Sequence, residues 1–121
     1  MKVAISAQGG DIEALVDPRF GRAAWFIVAD TESGEWTAID NRENVEASGG
    51  AGVQAGTRVA DRGVEAVITG NVGPNAQKVL DAAGVHIYQA GNGVTAKEAL
   101  AGLAAGKLNA VDGPTVAGHW S

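Results

Sequence analysis

Three short strand-like segments, each followed closely by glycine, constrain the fold of this chain most strongly. They cover residues 3–7, 64–69 and 85–89. Residues 3–7 are a short apolar run, which is typical of a central strand buried in the sheet, and residues 64–69 and 85–89 are predicted as later strands. Glycine, proline and capping residues predict helices from 49–52 to about 61, from 74 to 84 and from 95 to 106. Strands alternating with helices predict an α/β domain with right-handed crossovers.

A hairpin is predicted between the first apolar run and the first helix. Residues 23–30 and 35–41 are strand-like by their aromatic and β-branched content, and a polar turn at 31–34 joins them. We expect residues 42–48 to form a loop and residues 112–121 to form a loose tail. The resulting order β, β, β, α, β, α, β, α predicts one three-layer domain over residues 1–111, with helices on both faces of the sheet.

Charge and composition limit the classes of function. The net charge of −5 disfavours nucleic acid as a partner, because phosphate backbones are bound by clustered Lys and Arg. The absence of cysteine excludes a catalytic thiol and a thiolate metal site. No apolar run approaches the roughly 18 residues of a membrane span, so we expect no membrane association and a soluble cytoplasmic protein.

Residues 17–22, Asp-Pro-Arg-Phe-Gly-Arg, place two guanidinium groups in one bend that we call the arginine turn. Arginine offers a flat, permanently charged fork of donors that suits an anion with several acceptor atoms. The alternative is that Arg19 and Arg22 only pair with Asp17 and Asp11 at the surface. The turn leaves the first predicted strand, close to the edge where open α/β sheets bind their ligands.

Two predicted helices begin with glycine, at residues 49–52 and 70–74. Such helix starts expose backbone N–H groups and the positive end of the helix dipole, so they favour anions. The alternative is that these glycines only permit tight turns. Residues 50–55 match the dinucleotide fingerprint, but they follow a polar loop and lack the later acidic residue, which disfavours nucleotide binding.

Catalytic groupings are poor, and we expect a protein that is not an enzyme. His86 lies in a predicted strand and His119 in the tail, and no serine, cysteine or paired carboxylate stands at a catalytic spacing. The two histidines are weak candidates for metal ligands, since their separation matches no familiar ligand spacing.

Taken together, the chain resembles the dinitrogenase iron-molybdenum cofactor biosynthesis family. The resemblance rests on residues 1–8, the arginine turn leading into 24–30, residues 49–52 and residues 67–74. It implies a ribonuclease H-like motif with a five-stranded mixed sheet in the order 3-2-1-4-5, strand 2 antiparallel to the rest. Nuclease activity is not expected, because the strand ends carry Ser6-Ala7 and Thr69-Gly70 instead of metal-binding carboxylates.

The resemblance, which is greatest to the orange-protein group of the family, implies non-covalent binding of an anionic metal-sulfur cluster by a carrier or assembly scaffold. A molybdenum-copper sulfide cluster or a thiomolybdate is the expected ligand, with other molybdenum-iron-sulfur clusters as further candidates. Metals already saturated by sulfide need no protein thiolate. The alternative is an interaction or regulatory module without a ligand, which would explain the exposed-looking Trp36 and Trp120. The expected cofactor-binding residues are Arg19, Phe20, Gly21, Arg22, Gly49, Gly50, Gly52, Thr69, Gly70, Asn71, Val72, Gly73 and Pro74.

Overall fold

The secondary-structure elements follow the alternation expected from the sequence. The computed structural model describes residues 1–45 and 50–111. Its elements are β1 (Lys2–Ala7), β2 (Trp25–Asp30), β3 (Trp36–Asp40), α1 (Arg42–Val45), α2 (Ala51–Ala60), β4 (Ala66–Thr69), α3 (Pro74–Ala82), β5 (His86–Gln89), α4 (Ala96–Ala104) and β6 (Asn109–Val111). The predicted tail at 112–121, together with Gly49 and His119, lies outside the described residues.

All the described strands belong to one mixed sheet in the order β3-β2-β1-β4-β5-β6. β1, β4 and β5 are parallel, and β2 is antiparallel to both β1 and β3. The predicted order of the first five strands is therefore confirmed. The prediction of only five strands is wrong, because β6 pairs antiparallel with β5 at the sheet edge. Its three residues are too few to show a strand periodicity in the sequence.

The segment after β3 also differs from the prediction. Arg42–Val45 forms a single helical turn instead of the start of a loop. Asn41 begins this turn, since its carbonyl oxygen accepts a hydrogen bond from the Asn44 N–H at 3.1 Å. The high polarity of this segment indicated a loop, but a helix of one turn needs no apolar stripe of its own.

Helices cover both faces of the sheet, as predicted. α2 and α3 pack on one face, where Val59 and Leu80 join Phe26 and Val67 in a buried cluster. α2 and α3 approach closely at Gly56, where an added Cβ would lie 3.0 Å from Val79 Cγ1. On the opposite face Ala96 and Ala99 of α4 pack against the other side of the sheet. None of the described helices has both the length and the apolar character of a membrane span.

The strand register determines where the loops meet. Ile5 pairs with Ile68, and Thr69 pairs with Gln89, so β1, β4 and β5 end at the same edge of the sheet. We call this the carboxyl edge. β2 is antiparallel to β1, and β3 is antiparallel to β2. The start of β2 and the end of β3 therefore lie at this edge, where Trp25 pairs with both Ala7 and Asp40.

Candidate functional site

Backbone and buried groups hold the arginine turn against the carboxyl edge. The Asp17 N–H donates to the Ser6 carbonyl oxygen at 2.8 Å. In return the Ser6 hydroxyl donates to the Asp17 carbonyl oxygen at 2.8 Å, and it accepts from the Thr69 hydroxyl at 2.7 Å. Ser6 and Thr69 are both buried. Thr69, a predicted ligand-binding residue, thus lies beneath the turn with its hydroxyl engaged within the chain.

The turn also pairs with the loop that follows β4. Arg19 and Asn71 form a parallel bridge, and the Phe20 N–H donates to the Asn71 carbonyl oxygen at 3.1 Å. Gly70 makes this approach possible, because a Cβ there would lie 2.6 Å from Pro18 Cα and 2.9 Å from the Pro18 carbonyl oxygen. Gly70 was predicted to offer a donor to an anion. The structure shows that its lack of a side chain is required for backbone contact.

The Phe20 side chain anchors the turn in the core. It is fully buried, and its ring centroid lies 5.1 Å from that of Phe26 at a tilted angle. Val72 is also buried in the same cluster. These two expected cofactor-binding residues therefore face the core. Pro74, another expected cofactor-binding residue, is half-buried at the start of α3.

Arg19 points its charged group away from this framework. Its side chain is 51% exposed, and its Nε lies 3.9 Å from Asp17 Oδ1, beyond hydrogen-bond distance. Asp17 Oδ1 instead accepts the Arg19 backbone N–H at 2.9 Å. Burial raises the pKa of the Asp17 carboxyl above its ordinary value, although this hydrogen bond and the Arg19 charge favour the ionised form. Arg22 is half-buried, and the adjacent Gly21 is buried.

The starts of the helices differ in how their N–H groups are satisfied. α2 begins after Gly50, which has a left-handed φ of 71°, and α3 begins after Gly73; neither start has a side-chain cap. By contrast, Thr95 and Glu98 form a complete capping box at α4, as predicted. Within the described residues, no side chain caps the first turns of α2 and α3, and Pro74 supplies no N–H of its own. Gly52 is buried within α2.

His86 begins β5, at the end of the strand opposite to Gln89. The structure therefore does not bring it to the arginine turn. Among the described residues, no group of three or more His, Cys, Asp and Glu side chains could hold a metal ion.

A further arginine, Arg42, lies at the carboxyl edge and was not among the predicted site residues. Arg42 forms a bidentate ion pair with Asp40, with Nε–Oδ1 and Nη2–Oδ2 distances of 2.9 and 2.7 Å. Its guanidinium carbon lies 5.1 Å from the ring centroid of Trp25. These hydrogen bonds lower the pKa of Asp40 to about 2. Arg42 stood in a predicted loop, so this arrangement could not be predicted from the sequence.

A cleft of about 360 Å³ lies beside the arginine turn, beyond the ends of β4 and β5. We call it the amide cleft, because four of the residues that line it carry side-chain amides: Asn71, Gln89, Asn92 and Asn109. Only Asn71 was a predicted site residue. Asn109 could not be found from the sequence, because it belongs to the short strand β6.

Comparison with known proteins identifies relatives of this chain. The family model described as dinitrogenase iron-molybdenum cofactor matches residues 1–106. An uncharacterised protein of Methanocaldococcus jannaschii is 32% identical over 92 residues, which cover 74% of this chain and 75% of that protein.

Two solved structures extend the likeness to the fold. The apo form of the orange protein from Desulfovibrio gigas superposes with a TM-score of 0.91 at 36% identity, over 95% of this chain and 96% of that chain. The NMR structure of a putative NifB protein from Thermotoga gives a TM-score of 0.83 at 36% identity, over 95% and 97% of the two chains.

Proposed function

The chain belongs to the dinitrogenase iron-molybdenum cofactor family, and from this premise we propose that it binds an anionic metal-sulfur cluster non-covalently, as a carrier or assembly scaffold. The observation that carries the proposal is the Arg19 guanidinium. It stands half-exposed at the carboxyl edge on a turn anchored by buried groups, and no carboxylate lies within hydrogen-bond distance of its Nε among the described residues.

The donor set fits such a ligand. A cluster whose metals are saturated by sulfide needs positive charge and hydrogen-bond donors, and it does not need protein thiolates. The chain has no cysteine. Arg19 and Arg22 would supply the charge, and the uncapped starts of α2 and α3 would supply backbone N–H groups.

The remaining predicted residues take supporting roles in this proposal. Gly50 is exposed and lets the backbone approach the ligand, and Pro74 offers a half-buried apolar surface. Gly21, Gly52 and Gly73 are buried and shape the backbone behind that surface. Phe20, Val72, Thr69 and Gly70 hold the turn in place from beneath. Asn71 joins the turn to the amide cleft.

We further propose a molybdenum-copper sulfide cluster as the ligand, with a thiomolybdate as its precursor and other molybdenum-iron-sulfur clusters as alternatives. The likeness to the orange protein supports this choice. The role is binding and transfer and does not involve catalysis. The strand order β3-β2-β1-β4-β5 supports assignment of the domain to the ribonuclease H-like class.

Titration of the metal-free protein with tetrathiomolybdate and a copper salt tests the proposal. Visible absorption and metal content are measured after desalting, with circular dichroism as the control for folding. We expect the protein to retain colour at a fixed ratio of molybdenum to copper. Colour that passes entirely into the small-molecule fraction, from folded protein, would contradict the proposal.

A second candidate function is an interaction or regulatory module without a ligand. A groove of about 420 Å³ favours it, because Trp36 is 38% exposed there and lies beside Ile12 and Leu100. Trp36→Ala separates the two functions. If the Trp36→Ala variant retains the cluster as well as the wild type does, the result supports the carrier. If the folded wild-type chain retains no cluster, the result supports the interaction module, whose surface is the groove.

A further inference from the structure

The amide cleft gathers hydrogen-bonding groups that the chain itself does not use. Within residues 1–45 and 50–111, the side-chain amides of Asn71, Asn92 and Asn109 make no hydrogen bond to another part of the chain. The Gln89 amide is fixed, because its Nε2 donates to the Gly70 carbonyl oxygen at 2.8 Å. Each free amide carries two N–H donors that can rotate towards a ligand. The cleft volume of about 360 Å³ is at the low end of the range for small-molecule sites.

The lining restricts the chemistry of that ligand. The described residues that form the cleft include no carboxylate, so hard cations find no charged oxygen ligand. They also include no aromatic ring on which a base could stack. Neutral N–H donors arrayed beside glycine backbone are instead suited to an oxyanion, whose charge they stabilise through several directed hydrogen bonds.

The cleft adjoins the arginine turn through Asn71. The Asn71 backbone pairs with Arg19 and accepts a hydrogen bond from the Phe20 N–H, and Asn71 also lines the cleft. An anion in the cleft thus lies next to a positive charge without sharing its site. The two surfaces suit different ligands, because soft sulfide ligands favour charge and apolar surface whereas hard oxygen ligands favour directed N–H donors.

We propose that the amide cleft is a second anion site, which binds one small tetrahedral oxyanion beside the metal-sulfur cluster. The choice of molybdate as the first probe rests on the proposed function, whereas the oxyanion class rests on the lining alone. In this arrangement the oxygen-ligated form of the metal and its sulfide-ligated form occupy neighbouring sites on one edge of the sheet.

The test is a titration of the full ¹⁵N-labelled chain with sodium molybdate, followed by ¹H–¹⁵N NMR. We expect the side-chain NH₂ signals of Asn71, Asn92 and Asn109 to shift together and to saturate. The Thr95 N–H signal at the capped start of α4 should stay unchanged. Tungstate, sulfate and phosphate titrations identify the source: shifts with molybdate and tungstate alone indicate a metal oxyanion, and equal shifts with all four indicate a general tetrahedral oxyanion.

Substitution of the amides locates the site. Asn92 and Asn109 are exposed, so the double variant Asn92→Ala/Asn109→Ala should fold and bind molybdate at least about ten-fold more weakly. The matched control is Asn75→Ala, because Asn75 is an exposed amide at the start of α3 outside the cleft. Unchanged affinity in the double variant, a loss in the control alone, or no shift at saturating molybdate would each overturn the proposal.

The same variants separate this inference from the proposed function. Asn92→Ala/Asn109→Ala should still retain the colour of the thiomolybdate-copper product, since the arginine turn is intact. Wild-type protein that binds molybdate but retains no cluster would contradict the proposed function and support the cleft. Wild-type protein that retains the cluster but shows no molybdate shift would support the proposed function and contradict the oxyanion site in the cleft.

Discussion

Arg19 and Arg42 stand at the same edge of the sheet but are held in opposite ways. The guanidinium of Arg42 is committed within the chain, by a bidentate ion pair with Asp40 and by the ring of Trp25. The guanidinium of Arg19 has no such commitment to Asp17, and what is fixed there is the backbone on either side of it. The more exposed of the two side chains is in fact Arg42, at 66% against 51%.

Exposure is therefore a poor measure of which arginine can receive an anion. A ligand at Arg42 would have to displace a carboxylate that already occupies both arms of the fork. A ligand at Arg19 would meet a charge whose hydrogen-bonding groups are less engaged, on a turn that is already ordered, so less conformational entropy is lost on binding.

The strongest test of this difference removes the two charges of the arginine turn in one variant and the charge of Arg42 in another. In Arg19→Ala/Arg22→Ala we expect cluster affinity to fall by at least about 100-fold, since charge-assisted hydrogen bonds contribute about 1.5–3 kcal/mol each. Arg42→Ala is the matched control and should change affinity by less than about three-fold. Visible titration with tetrathiomolybdate and copper measures both. Equal losses in the two variants would mean that the edge attracts anions only through its overall charge.

A smaller effect should follow from moving the backbone under Arg19. Gly70→Ala forces a Cβ against Pro18, so we expect a loss of about 2 kcal/mol in the free energy of unfolding and weaker cluster binding. Gly91→Ala is the control, because a Cβ there meets open space and should change stability by less than about 0.5 kcal/mol. Urea unfolding measures both. A Gly70→Ala protein of wild-type stability would show that the close contact with Pro18 is not required.

The smallest effect should come from the carboxylate beneath Arg19. Asp17→Asn keeps an acceptor for the Arg19 N–H but removes a negative charge, so cluster affinity should rise by about three- to ten-fold. Affinity that falls instead would mean that Asp17 orients the guanidinium.

The same variant has a defined effect on pH dependence. Burial raises the pKa of Asp17 in the folded chain above 3.8, so the folded state holds a proton that the unfolded state has released between 3.8 and the raised value. Asp17 thus favours the folded state below 3.8, and this contribution is lost as pH rises through that interval. Asp17→Asn should remove the loss, which urea unfolding on either side of the interval can measure.

Much of the fold could be predicted because local signals agreed with tertiary structure. Local signals within a few residues mark the strands β1, β4 and β5, the hairpin of β2 and β3, and the capping box at Thr95. β6 and α1 were missed for the opposite reason. Each is a few residues long, and β6 exists through its pairing with β5.

The candidate site was less predictable, because its details depend on contacts between distant segments. The sequence placed residues 17–22 close to the ligand-binding edge of the sheet, and there the structure pairs Arg19 with Asn71. It could not indicate whether the Phe20 ring would face solvent or Phe26, nor that Gly70 would be pressed against Pro18. A lone aromatic residue on a turn has no periodicity to reveal its direction.

The way the arginine turn is anchored has an evolutionary consequence. The contacts that position it run through main-chain atoms and through Ser6, Phe20, Thr69 and Gly70, and the fold does not rely on the Arg19 head group. The side chain at position 19 can thus be replaced without changing the backbone of the arginine turn. Selection for a different cargo can act on that single codon, by changing charge, size or softness, while the sheet that carries it stays the same.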